Sequence, residues 1–264
     1  MSKNLISEQL KNFVQVSSSS FEVIHSTASF LPQKVFILDS SFNPPHKGHY
    51  ALVTKYLEYY NSHSHNSSIR PSLLLLLSIK NADKTIPDPN VFVHRLEMIH
   101  LFSQYVEAEM KIDVSIGLTK HAKFIDKAFS IKERFRIPPE DKLTFLLGFD
   151  TLIRVFNPEY YKPLSLRDAL RGFVESNEIF CLTRNDEIDM QFQFMNSISR
   201  DFPPVWSENI KLVHNEENAL SISSSYIRNE VSFNRKGWED LVFHSISSYI
   251  KENDLYLDIL KQHF

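Results

Sequence analysis

Five leucines in succession, Leu73–Leu77, run on through Ser78 to Ile79 without any alternation of apolar and polar residues. A strand with one wet face alternates. A strand covered on both faces need not, and that environment belongs to parallel sheets flanked by helices. The run is far shorter than the ~20 residues a membrane helix requires. Other short apolar runs stand at Val35–Leu38, Ile112–Leu118, Leu143–Leu147, Ile179–Leu182 and Ile210–Val213. Between them lie segments with helical spacing: His49–Tyr60, about 91–108 (Leu96, Ile99, Phe102, Tyr105), Phe124–Phe129, Leu166–Phe173 and Trp238–Ile250. Strand and helix thus alternate about six times without repeats, which predicts an α/β, doubly wound parallel sheet with C-terminal helices. Residues 1–31, with Ser17–Ser20 and no clean periodicity, read as a partly helical or flexible lead-in, and 32–264 as a single domain.

Lys and Arg number 29 against 32 Asp and Glu, a net charge of −3 that argues against general nucleic-acid affinity. The single cysteine, Cys181, lies inside an apolar strand and reads as a buried structural thiol in a reducing compartment. Residues Met1–Gln15 lack the apolar core of a signal peptide, so the expected location is cytoplasmic, or nuclear as well, with no membrane partner. His63 and His65 sit in the polar loop Asn61–Ser72. They read as solvated, since a metal site needs three or four ligands and no third is at hand.

The densest chemistry follows the first strand, in Asp39-Ser-Ser-Phe-Asn-Pro-Pro-His-Lys-Gly-His49. Two prolines and a glycine make this a loop between strand and helix, which presents backbone N–H groups and a helix N-terminus to an anion. His46 and His49 would face that anion as donors; taken alone, the pair could equally be surface polarity. Further polar groups follow other strands: Lys80–Lys84, Asp150, Arg184 and Ser221–Arg228. In a doubly wound sheet these all fall on the carboxyl edge, where ligands bind, and the convergence favours a phosphate site. Within Ser221-Ile-Ser-Ser-Ser-Tyr-Ile-Arg228 the serines suit a helix cap, which is a purely structural role. Arg228 adds what a cap does not need, a guanidinium able to make bidentate contacts with a triphosphate. The chain has no Gly-x-x-x-x-Gly-Lys-Ser/Thr, Gly-x-Gly-x-x-Gly or Gly-x-Ser-x-Gly segment. What remains suits transfer between phosphates, which needs in-line positioning and donors on developing charge rather than a covalent intermediate. Arg95 reads as a residue of a solvated helix, with a site role as the alternative.

Ser-Phe-Asn-Pro-Pro-His46-Lys-Gly-His49 resembles the Gly-x-Phe-x-Pro-x-His-x-Gly-His motif of the nucleotidyltransferase superfamily, and Ile222–Arg228 resembles its Ile-Ser-Ser-Thr-x-Ile-Arg motif. Within that superfamily the chain is similar to the nicotinamide mononucleotide adenylyltransferases, in particular the divergent fungal promoter-of-filamentation type. Supporting stretches are His94–Met98, Leu147–Asp150, Cys181–Arg184 and Ser248–Tyr256. The resemblance implies a Rossmann-like nucleotidyltransferase fold and transfer of AMP from ATP to nicotinamide mononucleotide, or to its nicotinic acid form, giving NAD and pyrophosphate. It implies that His46 and His49 contact the α- and β-phosphates, that Ser223, Ser224 and Arg228 hold the β- and γ-phosphates, and that Mg²⁺ rides on the triphosphate. It further implies that Ser41 and Phe42 bring backbone to the nucleotides, that Lys84 and Arg184 are contact candidates, and that Gly148 and Asp150 approach a ribose. Two positions depart from the pattern. Ser40 stands where the motif has its first glycine, and Tyr160 or Tyr161 stands where many relatives stack a tryptophan on nicotinamide. These departures keep open a nucleotide-binding regulatory protein with little turnover, and a transferase acting on another phosphate monoester. An oligomer is compatible with the sequence.

Overall fold

The structure is a computed structural model that describes residues 8–28, 32–63, 71–79, 89–183, 188–214 and 222–257. Seven strands form one sheet: β1 (Phe21–Ser26), β2 (Lys34–Asp39), β3 (Pro71–Ser78), β4 (Val114–Thr119), β5 (Leu143–Gly148), β6 (Asn177–Leu182) and β7 (Ile210–Val213). Their order is β1-β4-β3-β2-β5-β6-β7, with β1 antiparallel to β4 and every other pairing parallel. Nine α-helices are described: α1 (Lys47–His63), α2 (Pro89–Met110), α3 (Phe124–Phe135), α4 (Phe149–Val155), α5 (Leu166–Ser176), α6 (Ile188–Asp201), α7 (Pro204–Asn209), α8 (Ser224–Ser232) and α9 (His244–Glu252).

The leucine run is the centre of this arrangement. Leu73–Leu77 are completely buried because the two-residue period of a strand sends them to both faces in turn. Leu73, Leu75 and Leu77 join Phe36 and Leu38 in the core beneath α1, α2, α8 and α9, where they meet Val53, Ile99, Ile227 and Ile246. Leu74 and Leu76 join Val35 and Ile37 in the opposite core, with Ile131 of α3, Leu152 of α4, Phe173 of α5 and Trp206 of α7. Each leucine so buried stabilises the fold by about 1.5–3 kcal/mol before entropy is counted.

Six strands and the doubly wound pattern thus agree with the sequence reading, and three details do not. Residues 21–26, read as lead-in, form β1 at the sheet edge. Only Phe21 of that strand is fully buried, and Glu22, His25 and Ser26 interrupt any apolar run, so partnership with β4 rather than patterning makes it a strand. Helix α4 starts directly from β5, and α6 and α7 fill a stretch whose periodicity was too short or mixed to read. The predicted final helix is broken: a 3₁₀ turn at Trp238–Leu241 is followed by extended Val242 and then α9, with Trp238, Val242 and Phe243 all buried. Among the described residues no helix is long and apolar enough to cross a membrane.

Strand order reverses between β2 and β5, so the crevice at their carboxyl ends is the place where this architecture binds ligands. The β1 edge is fitted tightly over β4. A β-carbon on Gly117 would lie 2.7 Å from the Phe21 ring and 3.1 Å from Leu74 Cδ1. Gly117→Ala is therefore expected to destabilise the protein by about 1–3 kcal/mol, the usual cost of overpacking. An unchanged urea midpoint would show that β1 is not seated as described.

Candidate active site

A cavity of about 510 Å³ opens at the carboxyl ends of β2 and β5. Its floor is the loop 40–46 that leaves β2. Phe42 adopts φ 48° and turns its ring completely inside, 5.1 Å from the His49 ring and 6.4 Å from that of Phe102. This anchor sets where the two histidines stand. His46 and His49 are 7% and 8% exposed with ring centroids 3.8 Å apart. The His46 backbone N–H donates to His49 Nδ1 at 3.1 Å, and His49 Nε2 lies 2.8 Å from Ser40 Oγ. Since Nδ1 accepts, the imidazole proton sits on Nε2, which donates to Ser40. Burial pushes His49 down to about 3, so it is a neutral donor at physiological pH.

The second half of the site comes from α8. Ser223 caps it, accepting from the Tyr226 N–H at 3.1 Å, and Ser224 Oγ donates to the carbonyl of Pro44 at 2.9 Å. The cap is present, and the guanidinium beyond it turns inward: Arg228 donates from Nη1 to the Asn43 carbonyl at 2.7 Å and from Nη2 to Ser225 Oγ at 3.0 Å. Residues 185 positions apart are thereby tied together at the mouth of the cavity.

Arg95 corrects the sequence reading. It is not solvated: it is 8% exposed, lines the cavity, donates from Nε to the Ser41 carbonyl at 2.8 Å and lies 4.5 Å over the Phe92 ring. Burial, with the Arg228 charge nearby, pushes it down to about 10, which leaves it cationic at neutral pH; burial lowers Arg228 too. Among the described residues neither guanidinium has a carboxylate partner. Two cations partly withdrawn from water and facing one polar cavity suit a bound anion.

Of the remaining predicted residues, Ser41, Gly148 and Asp150 line the cavity. Gly148 N-caps α4, and the space a β-carbon would take there is open. Phe42 does not line it; only its backbone could. Lys84 and Arg184 lie outside the described residues. Tyr160 and Tyr161 both border the cavity, but the Tyr161 hydroxyl is spent on the Val155 carbonyl at 2.8 Å. Sequence reading missed Asn43 and Tyr256, whose hydroxyl donates to Asn43 Oδ1 at 2.8 Å, and the buried ion pair of Lys127 with Asp39 at the end of β2. For Arg95 a signal existed: it falls three residues after Phe92 and four before Ile99, on the buried stripe of α2.

Residues 37–230 match the model of the cytidylyltransferase-like family, a span that runs from β2 through α8 and holds both halves of the site. The chain belongs to this family. A Schizosaccharomyces pombe protein assigned as a nicotinamide mononucleotide adenylyltransferase is 33% identical over 205 residues, covering 75% of each chain. That similarity sets the chain among the nicotinamide mononucleotide adenylyltransferases of the cytidylyltransferase-like family. The structure is also similar to a Plasmodium falciparum nicotinic acid mononucleotide adenylyltransferase complexed with APC. The TM-score is 0.57 at 18% identity, over 86% of this chain and 99% of that one, which supports the fold.

Two outcomes are expected from this geometry. Inorganic tripolyphosphate at a hundredfold excess over its Kd should stabilise the protein by about 2.7 kcal/mol. Arg95→Met and Arg228→Met should each remove most of that thermal shift, and a shift retained in both would sink the anion assignment. The second outcome concerns acid. His49 has an ordinary value of 6.5 when unfolded and about 3 when folded, so between those limits the unfolded chain binds a proton that the native chain does not. Stability is then full above pH 6.5 and declines as pH falls. His100, pushed down to about 4 mainly by burial, adds to the same slope. His49→Gln should flatten the urea midpoint against pH between about 6.5 and 5, above the carboxylate range.

Proposed function

We propose that the protein is an adenylyltransferase that moves AMP from ATP to nicotinamide mononucleotide, forming NAD and pyrophosphate, with nicotinic acid mononucleotide as a further acceptor. The observation that carries this reading is the pair of guanidiniums, Arg95 buried and Arg228 half-buried, that have no carboxylate partner among the described residues and converge with the neutral His49 on a cavity at the switch point. In the reaction an acceptor phosphate oxygen attacks the α-phosphorus, the bond from that phosphorus to its β-bridging oxygen breaks, and pyrophosphate carries off the electron pair. The acceptor phosphate is already ionised, so the protein's task is to align reactants and to hold charge.

His46 and His49 are assigned to the α- and β-phosphates. Arg228, Ser223 and the first-turn N–H groups of α8 are assigned to the β- and γ-phosphates, where a helix N-terminus favours anions. Because the Ser224 hydroxyl is committed to Pro44, Ser224 would serve through its backbone. Ser41, Gly148 and Asp150 suit contacts to the nucleotides, and Tyr160 suits stacking on the acceptor base. Lys84 and Arg184 remain assigned by resemblance alone. Among the described residues no three His, Cys, Asp or Glu side chains cluster as a metal site. The fixed charges facing the cavity are mainly cationic, so Mg²⁺ would be held by the triphosphate and would neutralise its oxygens. We take residues 32–264 as the catalytic unit, with β1 adding an edge strand, and a cytoplasmic or nuclear location as the setting.

Purified protein with ATP, Mg²⁺ and nicotinamide mononucleotide should form NAD, resolved by chromatography. His49→Ala should lower kcat by on the order of 10²-fold, as loss of one transition-state donor does. ATP binding without transfer to any phosphate monoester would refute the enzyme reading.

A further inference from the structure

Ser40 stands where the motif of the superfamily has glycine, and its hydroxyl is placed where that glycine would leave a gap. Its Oγ takes the Nε2 proton of His49 at 2.8 Å. The direction of this bond is fixed, because His49 Nδ1 is already occupied as acceptor by the His46 N–H. His49 therefore has one proton to offer, and it ends on Ser40 rather than in the cavity. Ser40 lines that cavity and is less buried than the histidine behind it. Its backbone cannot withdraw: the Ser40 N–H donates to the Leu76 carbonyl at 3.3 Å, which holds the end of β2 against β3. Having accepted from His49, the hydroxyl still has its own proton to give, and among the described residues no acceptor takes it. A hydroxyl oxygen that accepts a hydrogen bond is polarised into a better donor.

We propose that Ser40 is a catalytic residue whose hydroxyl, polarised by His49 Nε2–H, is the group that donates to a non-bridging oxygen of the α-phosphate. The inference rests on the adenylyl-transfer reading above. No covalent bond to Ser40 forms and no proton changes owner: His49 keeps its Nε2 proton, Ser40 keeps its own, and both hydrogen bonds shorten as charge builds on the phosphate oxygen. The histidine then acts through the serine, and the pair counts as one donor.

The two ways of using His49 are separated by Ser40→Gly and Ser40→Ala in the full-length protein. With the relay, both variants lose kcat by on the order of 10²-fold while KM for ATP changes little. The double variant Ser40→Ala/His49→Ala is then no slower than either single one, since members of one chain are not additive. A Ser40→Gly enzyme as fast as the wild type or faster would overturn the proposal, because it would show His49 reaching phosphate unaided. Losses that multiply in the double variant would overturn it as well. Wild-type activity with unaffected serine variants removes the relay alone, whereas a wild type inactive with every acceptor removes the parent reading and the relay with it. A nitrogen-15 NMR measurement on the imidazoles of the wild type needs no variant to fold: His49 should be the neutral Nε2–H tautomer, and an Nδ1–H tautomer would overturn the relay by itself.

Discussion

The bond from Arg228 to the carbonyl of Asn43 is the contact on which the site depends. It joins α8 to the loop that leaves β2, and it holds a half-buried guanidinium at the mouth of the cavity. A cation taken from water without a carboxylate costs several kcal/mol unless carbonyls and hydroxyls answer it. Asn43 and Ser225 answer Arg228, and Ser41 together with the Phe92 ring answers Arg95. These carbonyls belong to the same short loop. Its conformation is in turn set by the buried Phe42 ring and by Tyr256, which grips the Asn43 side chain from the end of the described chain. Core packing thus holds two positive charges that meet no carboxylate among the described residues, an arrangement that suits a phosphate chain.

The sheet supplies the rigidity this arrangement needs. Because Leu73–Leu77 feed both cores, β3 is locked between two helical layers, and β2 is paired along its whole length with it. The last residue of β2, Asp39, is fixed by its ion pair with Lys127 of α3. Ser40 follows immediately and is bonded to β3. The loop therefore starts from an immobile point, and errors of position do not accumulate before His46 and His49.

What could be read from the sequence follows from where each signal resides. Leu73–Leu77 was legible because burial on both faces leaves an unbroken apolar run, and Asp39–His49 because its spacing carries the chemistry in contiguous residues. The strand β1 was not legible, since only Phe21 of it enters the core and its identity as a strand comes from hydrogen bonds to β4. Arg95 misled because charge outweighed its place on the apolar stripe of α2. Tyr256 closes a stretch that carries the family resemblance, but nothing local points to its pairing: its partner Asn43 is 213 positions away, and only the fold brings them together. Ser223 and Arg228 show a mixed case, in which capping and anion binding were offered as alternatives and the cap and the inward guanidinium coexist in one turn.

The protonation of His49 also limits the chemistry the site can perform. Its Nδ1 lone pair is held by the His46 N–H and its Nε2 carries a proton directed at Ser40, so it has no lone pair to give. Protonation to imidazolium is opposed by burial. His49 is thus neither a base nor a cation across the physiological range; it is a fixed dipole pointed at Ser40, which lines the cavity. An acceptor alcohol would need a base to ionise it in flight, and His49 cannot provide one. A phosphate monoester, with a second ionisation near ~6, arrives already charged, and guanidiniums facing the cavity would attract it. The hydrogen bonding of this one imidazole thus withdraws His49 as a base for a hydroxyl nucleophile, and a nucleophile that needs no base suits such a site.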